Sequence, residues 1–255
     1  MSDPIAVIAD VHGNADALAA VLADIDAQGI TTILNLGDHL SGPLAAAETA
    51  EMILARDMIN IRGNHDRYLI ELTRDKMGPS DQVAFDQLSE THLAWLRSLP
   101  ATRVLSDQIF LCHGTPSSDG TYFLEQVLAG GDITLRAHPD IESDAAGITQ
   151  PLILCAHTHT ARAVRLDDGR LIVNPGSVGL PAYDDDAPVY HVMETGLPDA
   201  CYALVQQVNG AWRVDFKTVP YDASRMTQCA RDAGRPDWAN AVSTGWFQGK
   251  SQAAD

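Results

Sequence analysis

The sequence has few basic side chains: 17 Lys and Arg stand against 34 Asp and Glu, giving a formal net charge of −17 at pH 7. Proteins that grip phosphate backbones present a basic face, so this balance argues against a nucleic-acid partner. The 4 cysteines lack Cys-x-x-Cys spacing, which argues against a disulfide framework or a structural zinc site. No apolar run approaches the roughly 20 residues that span a bilayer, and no signal segment is recognised. We therefore expect a soluble, cytoplasmic protein with reduced thiols and no membrane partner.

The composition is that of a globular protein, with 45% hydrophobic and 20% charged residues in a chain of 255. That length fits one large domain or two small ones. Because no Pro-, Gly- or Ser-rich linker divides the chain, we expect one domain over residues 1–222. Residues 223–255 are expected to form a C-terminal helical tail that packs on, or trails, that domain.

The first part of the chain alternates short apolar, β-branched runs with helical patterns. The predicted order is strand, helix, strand, helix, strand, over Ile5–Ile8, Asn14–Gln28, Thr31–Leu36, Leu44–Ala55 and Met58–Ile61. Such alternation predicts parallel strands joined by crossover helices, a fold in which sites assemble beyond the carboxyl ends of the strands.

The second part is richer in strands. Two further strands are predicted over residues 109–112 and 152–156, followed by several short ones separated by turn signals. Residues 114–150 have weak periodicity and many Gly, Asp and Ser residues, so we expect a loop-rich excursion there. A helical segment is expected over residues 222–247. The fold class is therefore α/β with two sheets.

Polar residues follow nearly every predicted strand, and 5 of the 9 histidines are among them. The set consists of Asp10, His12, Asp38, Asn64, His65, His113, His157 and His159. Residues two apart on an extended segment point to one side, so Asp10 and His12, and likewise His157 and His159, are expected to converge. Without His65 the set offers two carboxylates, one amide oxygen and four imidazoles, more donors than one ion can use.

Two ions bridged by a carboxylate and a water would use all of these donors. The nitrogen and oxygen donors without sulfur suit manganese, iron or zinc better than calcium and do not choose among them. We expect two divalent transition-metal ions, with manganese first and iron, zinc or nickel as alternatives. Such a site would be anion-binding within an acidic protein, because two divalent ions outweigh both carboxylates and a bridging hydroxide, leaving a charge of about +1.

These segments, in this order, resemble the calcineurin-like metallophosphoesterase superfamily. The resemblance is carried by Asp10-Val-His12-Gly-Asn14, Gly37-Asp38, Gly63-Asn64-His65-Asp66, His113-Gly114 and His157-Thr-His159. Asn174-Pro-Gly-Ser-Val-Gly179, with Tyr221-Asp222, resembles the small bacterial and archaeal phosphodiesterase branch. Each piece alone is weak, but an ordered set of five is specific.

The resemblance implies a four-layer αββα sandwich of two mixed sheets flanked by helices. It implies that one metal is held by Asp10, His12 and His159, and that Asn64, His113 and His157 hold the other. Asp38 would bridge the two ions. His65 would act as a general acid on the leaving group while a metal-bridging hydroxide attacks phosphorus, with no covalent enzyme intermediate.

The chain departs from the family pattern in two places. Ala156 stands where a Gly usually precedes His-x-His. The Asp and Arg of the protein-phosphatase pattern Gly-Asp-x-x-Asp-Arg-Gly are missing after Asp38, which argues against protein phosphatase activity. Asp66 is then a candidate to orient His65, although it could equally cap the next helix.

Some residues keep two interpretations. Asn14 could cap a helix or contact substrate. Arg62, Arg67 and Arg162 could meet a substrate phosphate but are more often solvated or paired, and are left out of the predicted site.

The predicted function is phosphodiester or phosphomonoester hydrolysis of a phosphorylated small molecule. A dinucleoside polyphosphate hydrolase is one alternative, and a non-catalytic scaffold on the same fold is another. The sequence does not indicate the oligomeric state.

Overall fold

A computed structural model describes residues 2–248 of the chain. The strands are β1 (Ile5–Ile8), β2 (Thr32–Asn35), β3 (Ile59–Asn60), β4 (Arg103–Leu105), β5 (Ile109–Leu111), β6 (Glu125–Val127), β7 (Ile133–Leu135), β8 (Leu152–Leu154), β9 (Arg162–Arg165), β10 (Leu171–Asn174), β11 (Ala182–Asp185), β12 (His191–Glu194), β13 (Ala200–Val208) and β14 (Ala211–Val219). The helices are α1 (Ala15–Ala27), α2 (Ala46–Leu54), α3 (Asn64–Glu71), α4 (Pro79–Gln87), α5 (Glu90–Ser98), α6 (His138–Asp144), α7 (Ser224–Asp232) and α8 (Pro236–Thr244). None of these helices has the length and hydropathy needed to cross a bilayer.

Two five-stranded mixed sheets form the centre of the molecule. The first has the order β14-β13-β1-β2-β3 and the second β4-β5-β8-β10-β9. In the first, β1, β2 and β3 run parallel, and in the second, β5, β8 and β10 do. The β1-α1-β2-α2-β3 order predicted from hydrophobic periodicity is confirmed to within a few residues.

The sheets pack face to face through apolar side chains such as Val7, Leu34, Leu111 and Leu154, all fully buried. A second core, with Leu18, Val21 and Ile25 of α1, covers the outer face of the first sheet. The third core covers the outer face of the second sheet and includes α6. The expected four-layer αββα sandwich is therefore confirmed.

Residues 114–150 contain more regular structure than the expected loop-rich excursion. The β6–β7 hairpin and α6 lie there, and Phe123, Leu124 and Ile141 are buried against the second sheet. Strands of 3 residues and a helix of 7 are too short to produce a readable hydrophobic period, which is why the pattern looked irregular.

The chain after β14 forms two helices, α7 and α8, within the range expected to be helical. Met226, Ala230 and Val242 of these helices are buried in a small core with Leu44 and Leu180. Residues 249–255 of the expected tail lie outside the described residues.

Asn14 caps α1 and also ties it to the rest of the fold. Its Oδ1 accepts a hydrogen bond from the Ala17 amide at 3.1 Å, and its Nδ2 donates to the Gly179 carbonyl and to the Tyr221 hydroxyl at 2.9 and 3.0 Å. The capping interpretation is thus confirmed. The side chain is fully buried, so all of these polar atoms depend on one another for partners.

We predict that Asn14→Ala lowers the free energy of unfolding by about 1–3 kcal/mol, because it removes a cap and leaves a buried carbonyl unpartnered. Urea denaturation of metal-free protein measures this. Asn14→Asp is the matched control. It keeps the oxygen that caps α1 but removes both amide donors, so its loss of stability reports on the contacts with Gly179 and Tyr221. An unchanged midpoint for Asn14→Ala would contradict the assignment.

Candidate metal centre

The predicted site residues meet at one edge of the paired sheets. Each follows the carboxyl end of a parallel strand: Asp10 and His12 follow β1, Asp38 follows β2, Asn64 and His65 begin α3 after β3, His113 follows β5, and His157 and His159 follow β8. The two sheets contribute their parallel ends to the same place, so the donors converge from both.

The backbone reaches this arrangement through left-handed conformations. Among the described residues, 7 non-glycine residues have positive φ, and 5 of them are predicted ligands: Asp10, His12, Asp38, His157 and His159, with φ between 50° and 73°. The ligand pairs therefore converge through turns and not through the extended alternation that the sequence suggested. Each left-handed residue costs on the order of 1–3 kcal/mol, and such strain concentrates at functional sites.

Hydrogen bonds between the loops offset this strain. The amides of Asp10 and His12 donate to the carbonyls of Gly37 and Asp38, and the Gly13 amide donates to the His39 carbonyl, each at 3.0 Å. The loops after β1 and β2 thus continue the pairing of their strands past the sheet edge.

The side chains form two groups of three. Asp10, His12 and His159 each offer a donor atom within 4.8 Å of the others, and so do Asp38, His113 and His157. Asn64 joins the second group, with its Oδ1 3.1 Å from His113 Nε2.

Asp38 lies between the groups. Its Oδ2 is 3.2 Å from His113 Nε2 and 3.9 Å from His12 Nε2. The structure therefore brings all seven predicted ligands together, with Asp38 in a position to serve both groups.

Two histidines point lone pairs at each other in the first group. His12 Nδ1 donates to the Ser41 carbonyl at 3.0 Å, and His159 Nδ1 donates to the Leu180 carbonyl at 2.6 Å. Each ring therefore carries its lone pair on Nε2, and these two atoms are 3.2 Å apart. Two acceptors at that distance repel unless a cation lies near both.

The Asp10 carboxylate also indicates that a cation belongs at this site. It is fully buried, and neither carboxylate oxygen has a hydrogen-bond partner. A buried carboxylate without partners is strongly unfavourable, so an orphaned one marks a place where a cation belongs. The donor set thus fits divalent metal ions.

The pKa shifts of these side chains agree with the binding of divalent metal ions. Burial raises the pKa of Asp10 to about 8, with the nearby Asp38 charge adding to the effect. Burial also lowers the pKa of His12 to about 4 and that of His157 to about 3, which keeps both imidazoles neutral and able to coordinate. Burial would raise the pKa of Asp38, but His113 and other histidines lower it well below its usual range.

His113, unlike His12 and His157, is held in its protonated form. Burial would lower the pKa of His113, but Asp38 outweighs it and raises the value to about 10. Its Nδ1 donates to the Leu36 carbonyl at 2.8 Å, so Nε2 faces Asp38 and Asn64. In the absence of a metal, a proton on Nε2 occupies the place where a cation would compensate these oxygens.

Residues 174–180 form hydrogen bonds to the loops that carry the candidate ligands. Ser177 Oγ donates to the Asp10 carbonyl at 2.8 Å, and Asn174 Nδ2 donates to the Ala156 carbonyl at 3.0 Å. A Cβ on Gly179 would overlap the Val11 carbonyl, so only glycine fits there. The Asn174–Gly179 motif therefore supports the loops that carry the candidate ligands.

His65 lies beside the ligands in the wall of the cleft. Its backbone amide donates to Asp38 Oδ1 at 2.9 Å, and its Nδ1 donates to Asp81 Oδ1 at 3.0 Å. Ser41 Oγ also donates to that Asp81 oxygen. The ring's other nitrogen, Nε2, makes no hydrogen bond within residues 2–248, and the side chain lines the cleft with 35% of its surface exposed.

Asp81 and Asp38 also act on the charge of His65. Burial would lower the pKa of His65, but these two carboxylates raise it to about 9. Divalent cations at the neighbouring ligands would lower it again by repulsion.

Of the two interpretations of Asp66, the one in which it caps the next helix is confirmed and the one in which it orients His65 is wrong. Asp66 accepts hydrogen bonds from the backbone amides of Asp38, His39 and Gly63 and from His39 Nδ1, at 2.7–3.0 Å. It therefore shapes the loop that carries Asp38. Asp81 is the partner of His65, and sequence reasoning missed it because it lies 16 residues away, on a helix that the periodicity did not reveal.

Two of the three arginines near the motifs are paired. Arg67 makes a bidentate ion pair with Asp119 at 2.7 and 2.8 Å, and Arg162 bonds the buried Glu125 at 2.6 Å. Arg62 does not line the cleft above the ligands.

That cleft has a volume of about 350 Å³ and is lined by His12, Asp38, Asn64, His65, His157 and His159 at one side. The α8 helix and the residue before it also line the cleft, through Arg235, Asp237 and Trp238, and the Trp238 ring lies 5.9 Å from the His12 ring. No signal in the sequence pointed to these three residues, because they belong to no motif.

Comparison with known proteins agrees with this geometry. The calcineurin-like phosphoesterase superfamily domain matches residues 4–196. An uncharacterized protein of Methanocaldococcus jannaschii is 24% identical over 251 residues, covering 92% of this chain and 94% of that protein.

Two solved structures share the fold over nearly the whole chain. A metallophosphoesterase from Sphaerobacter thermophilus matches with a TM-score of 0.74 at 25% identity, covering 95% of this chain and 100% of that one. A hypothetical protein from Pyrococcus horikoshii OT3 matches with a TM-score of 0.71 at 19% identity, covering 97% and 99%.

The αββα fold and the two ligand groups place the protein in the metallophosphoesterase class. The chain belongs to the calcineurin-like phosphoesterase superfamily, as the ordered motifs indicated.

We predict that Mn²⁺ stabilises the protein by about 2.7 kcal/mol for each site at a hundredfold excess over its Kd, because the ion binds only the folded chain. Asp10→Asn and His113→Asn should each lose much of this gain and lower the bound metal found by elemental analysis. His138→Asn is the control, since His138, Glu142 and Asp167 also cluster but are partly or fully exposed, unlike the buried ligands. Equal losses in all three variants would contradict the assignment.

Proposed function

We propose that the protein is a dinuclear metal-dependent phosphoesterase that hydrolyses phosphodiester or phosphomonoester bonds of small molecules. One observation carries this proposal: two groups of three ligand-type residues, one of which contains Asp38, meet beside one open cleft that His65 also lines. The intact ligand set supports an enzyme over a scaffold, which would have no need for it.

Asp10, His12 and His159 would hold one ion, Asn64, His113 and His157 the other, and Asp38 would contact both. When bound, two divalent ions, with manganese the first choice, would supply an activated water and neutralise charge on the phosphoryl oxygens.

His65 supplies the proton for the departing alcohol in this proposal. Its backbone amide bonds Asp38, so a phosphoryl group held by the two ions would lie near it, and the Asp81 hydrogen bond engages Nδ1 and leaves Nε2 as the ring nitrogen that can donate the proton. A ring held in one orientation loses little freedom on reaching the transition state.

Within residues 2–248, the side chains of Cys112, Cys155 and Ser177, which adjoin the ligand segments, are unsuited to forming a covalent intermediate. Burial raises the pKa of Cys112 and of Cys155 above the usual range, and both thiols are fully buried. Ser177 already donates its hydroxyl proton to the Asp10 carbonyl. Direct attack by water is therefore the route that the residues favour.

The chain carries a formal net charge of −17, so the proposed partner is a phosphorylated small molecule drawn to the metal centre and not a nucleic acid.

We predict that His65→Ala retains both metals but slows turnover by roughly 10²-fold or more, the usual scale for a general acid. Turnover should fall most for esters with poor leaving groups, because these groups need a proton in order to depart. A series of aryl phosphoesters of graded phenol pKa measures this, with metal content determined in parallel. Equal loss across the series would mean that His65 is not the acid.

We predict that Asp81→Asn slows the same poor-leaving-group reactions by roughly 10-fold or more, because His65 loses its fixed orientation. Combining it with His65→Ala should add almost nothing, as expected for residues that act as a unit. Asp66→Asn serves as the comparison: it should lower stability and metal loading without steepening the dependence on leaving group. Additive effects of the Asp81 and His65 changes would count against the pairing.

A further inference from the structure

The outer strand of the first sheet, β14, has one edge without a partner strand. Within residues 2–248 it pairs with β13 on one side and with no strand on the other. It has 9 residues, whereas the strands at the other three edges of the two sheets, β3, β4 and β9, have 2, 3 and 4. The free edge of β14 is therefore long enough to pair with another strand.

This edge also lacks two features that commonly block strand pairing. Strands β13 and β14 stay in register over 9 consecutive residue pairs, from Ala200 with Val219 to Val208 with Ala211, without a bulge. No proline interrupts β14, which ends before Pro220. The edge therefore presents an unbroken row of backbone donors and acceptors.

The hydrogen bonds of β13 show which backbone groups of β14 lie on the free edge. Gln207 bonds Ser2 through both its amide and its carbonyl, so its backbone groups point away from β14. Its partner Trp212 therefore belongs to a non-hydrogen-bonded pair, and its own backbone groups point outward. Because the pattern alternates along the strand, the N–H and C=O groups of Val214 and Phe216 also point to the free edge.

The side chains on one face of β14 alternate in charge. Arg213, Asp215 and Lys217 lie two residues apart along the strand, so they share that face. Asp215 is 65% exposed and forms an ion pair with Lys217 at 2.6 Å, whereas Arg213 forms no ion pair within residues 2–248. An exposed pair of this kind is weak, so Asp215 remains available to a second cation.

This charge pattern limits the registers in which a second copy of β14 can pair with the first. Most dimers have a two-fold axis, and such an axis makes two β14 strands antiparallel. An axis at Arg213, Asp215 or Lys217 would place like charges directly opposite each other, which is destabilising. An axis at Val214 instead places Arg213 opposite Asp215 of the partner subunit, and the same pair recurs on the other side of the axis.

An axis at Val214 also suits the contacts that each chain already makes. The backbone groups of Arg213 and Asp215 point to β13, so this pair is of the non-hydrogen-bonded kind, in which facing side chains are closest. The unpaired Arg213 charge thereby gains a carboxylate. An axis at Phe216 would place Asp215 opposite Lys217 of the partner subunit and leave Arg213 without a carboxylate.

The other face of β14 contributes aromatic side chains. Phe216 is 37% exposed, and Trp212 is buried in the core between the sheets. With the axis at Val214, Phe216 lies opposite Trp212 of the partner subunit. Aromatic pairs across neighbouring strands stabilise a sheet, so this register also covers exposed apolar surface.

We propose that β14 is a self-association surface, on which a second copy of the chain pairs antiparallel about a two-fold axis at Val214. The five-stranded sheets of the two copies then join into one continuous sheet. The proposal goes beyond the phosphoesterase function and does not rest on it, because β14 contributes no residue to either ligand group or to the cleft above them.

Sedimentation equilibrium of the full chain over concentrations of about 1–200 µM tests this proposal. We expect the wild-type protein to reach twice the mass of one chain toward the upper end of that range. Asp215→Arg turns both attractive pairs into repulsive ones, so the dissociation constant of the dimer should rise by about tenfold or more. Asp57→Arg is the matched control, the same change at an exposed aspartate next to β3 at the opposite edge of the sheet, and should leave that constant unchanged.

A charge exchange within one chain tests the register. The double variant Arg213→Asp with Asp215→Arg restores opposite charges about an axis at Val214, so it should recover the wild-type dissociation constant. About an axis at Phe216 the same variant would face two cations and stay monomeric. Thermal unfolding checks that each variant is folded, as expected for changes at exposed side chains.

A wild-type protein that stays monomeric at the highest concentration would overturn the proposal. So would a dimer that Asp215→Arg and Asp57→Arg weaken equally, because its interface would then lie elsewhere. A double variant that stays monomeric would overturn the axis at Val214. None of these measurements uses activity, so failure of the protein to hydrolyse phosphoesters would overturn the proposed function and leave the self-association surface standing.

Discussion

The metal centre depends on an electrostatic imbalance that the fold itself creates. Asp10 is buried without a partner for either oxygen, and the lone pairs of His12 and His159 face each other at 3.2 Å. Neither feature is stable in an apolar interior unless positive charge enters. The surrounding carbonyls of Ser41 and Leu180 hold the rings in this tautomer, so the chain cannot relieve the repulsion by turning them. Affinity for a cation follows from this constraint.

The backbone around the centre transmits that constraint to the fold. Five ligands sit in left-handed conformations that their residue types disfavour, so the loops need support from outside themselves. The support comes from the paired loops after β1 and β2 and from segment 174–180, which bonds the carbonyls of Asp10 and Ala156. The energy of the sheets and of these hydrogen bonds keeps the donors close together before any ion is present.

The strands and the ligands were predictable from the sequence for one shared reason. Buried parallel strands are short apolar runs, and the polar residues that end them must lie at one edge of a sheet. The partner of His65 was not predictable in this way. Asp66 is adjacent in sequence, whereas Asp81 reaches His65 only because α4 packs against the loop that carries Ser41. Trp238 and Arg235 likewise reach the cleft through tertiary packing of α8, which leaves no local pattern to read.

The placement of α8 has a practical consequence for handling the protein. Trp238 and Ala241 of α8 line the cleft together with Phe247, whereas the seven candidate ligands all precede residue 160. A protein shortened before Pro236 would therefore keep every candidate ligand but lose part of the cleft wall. Such a shortened form suits measurements of metal content better than comparisons of substrates.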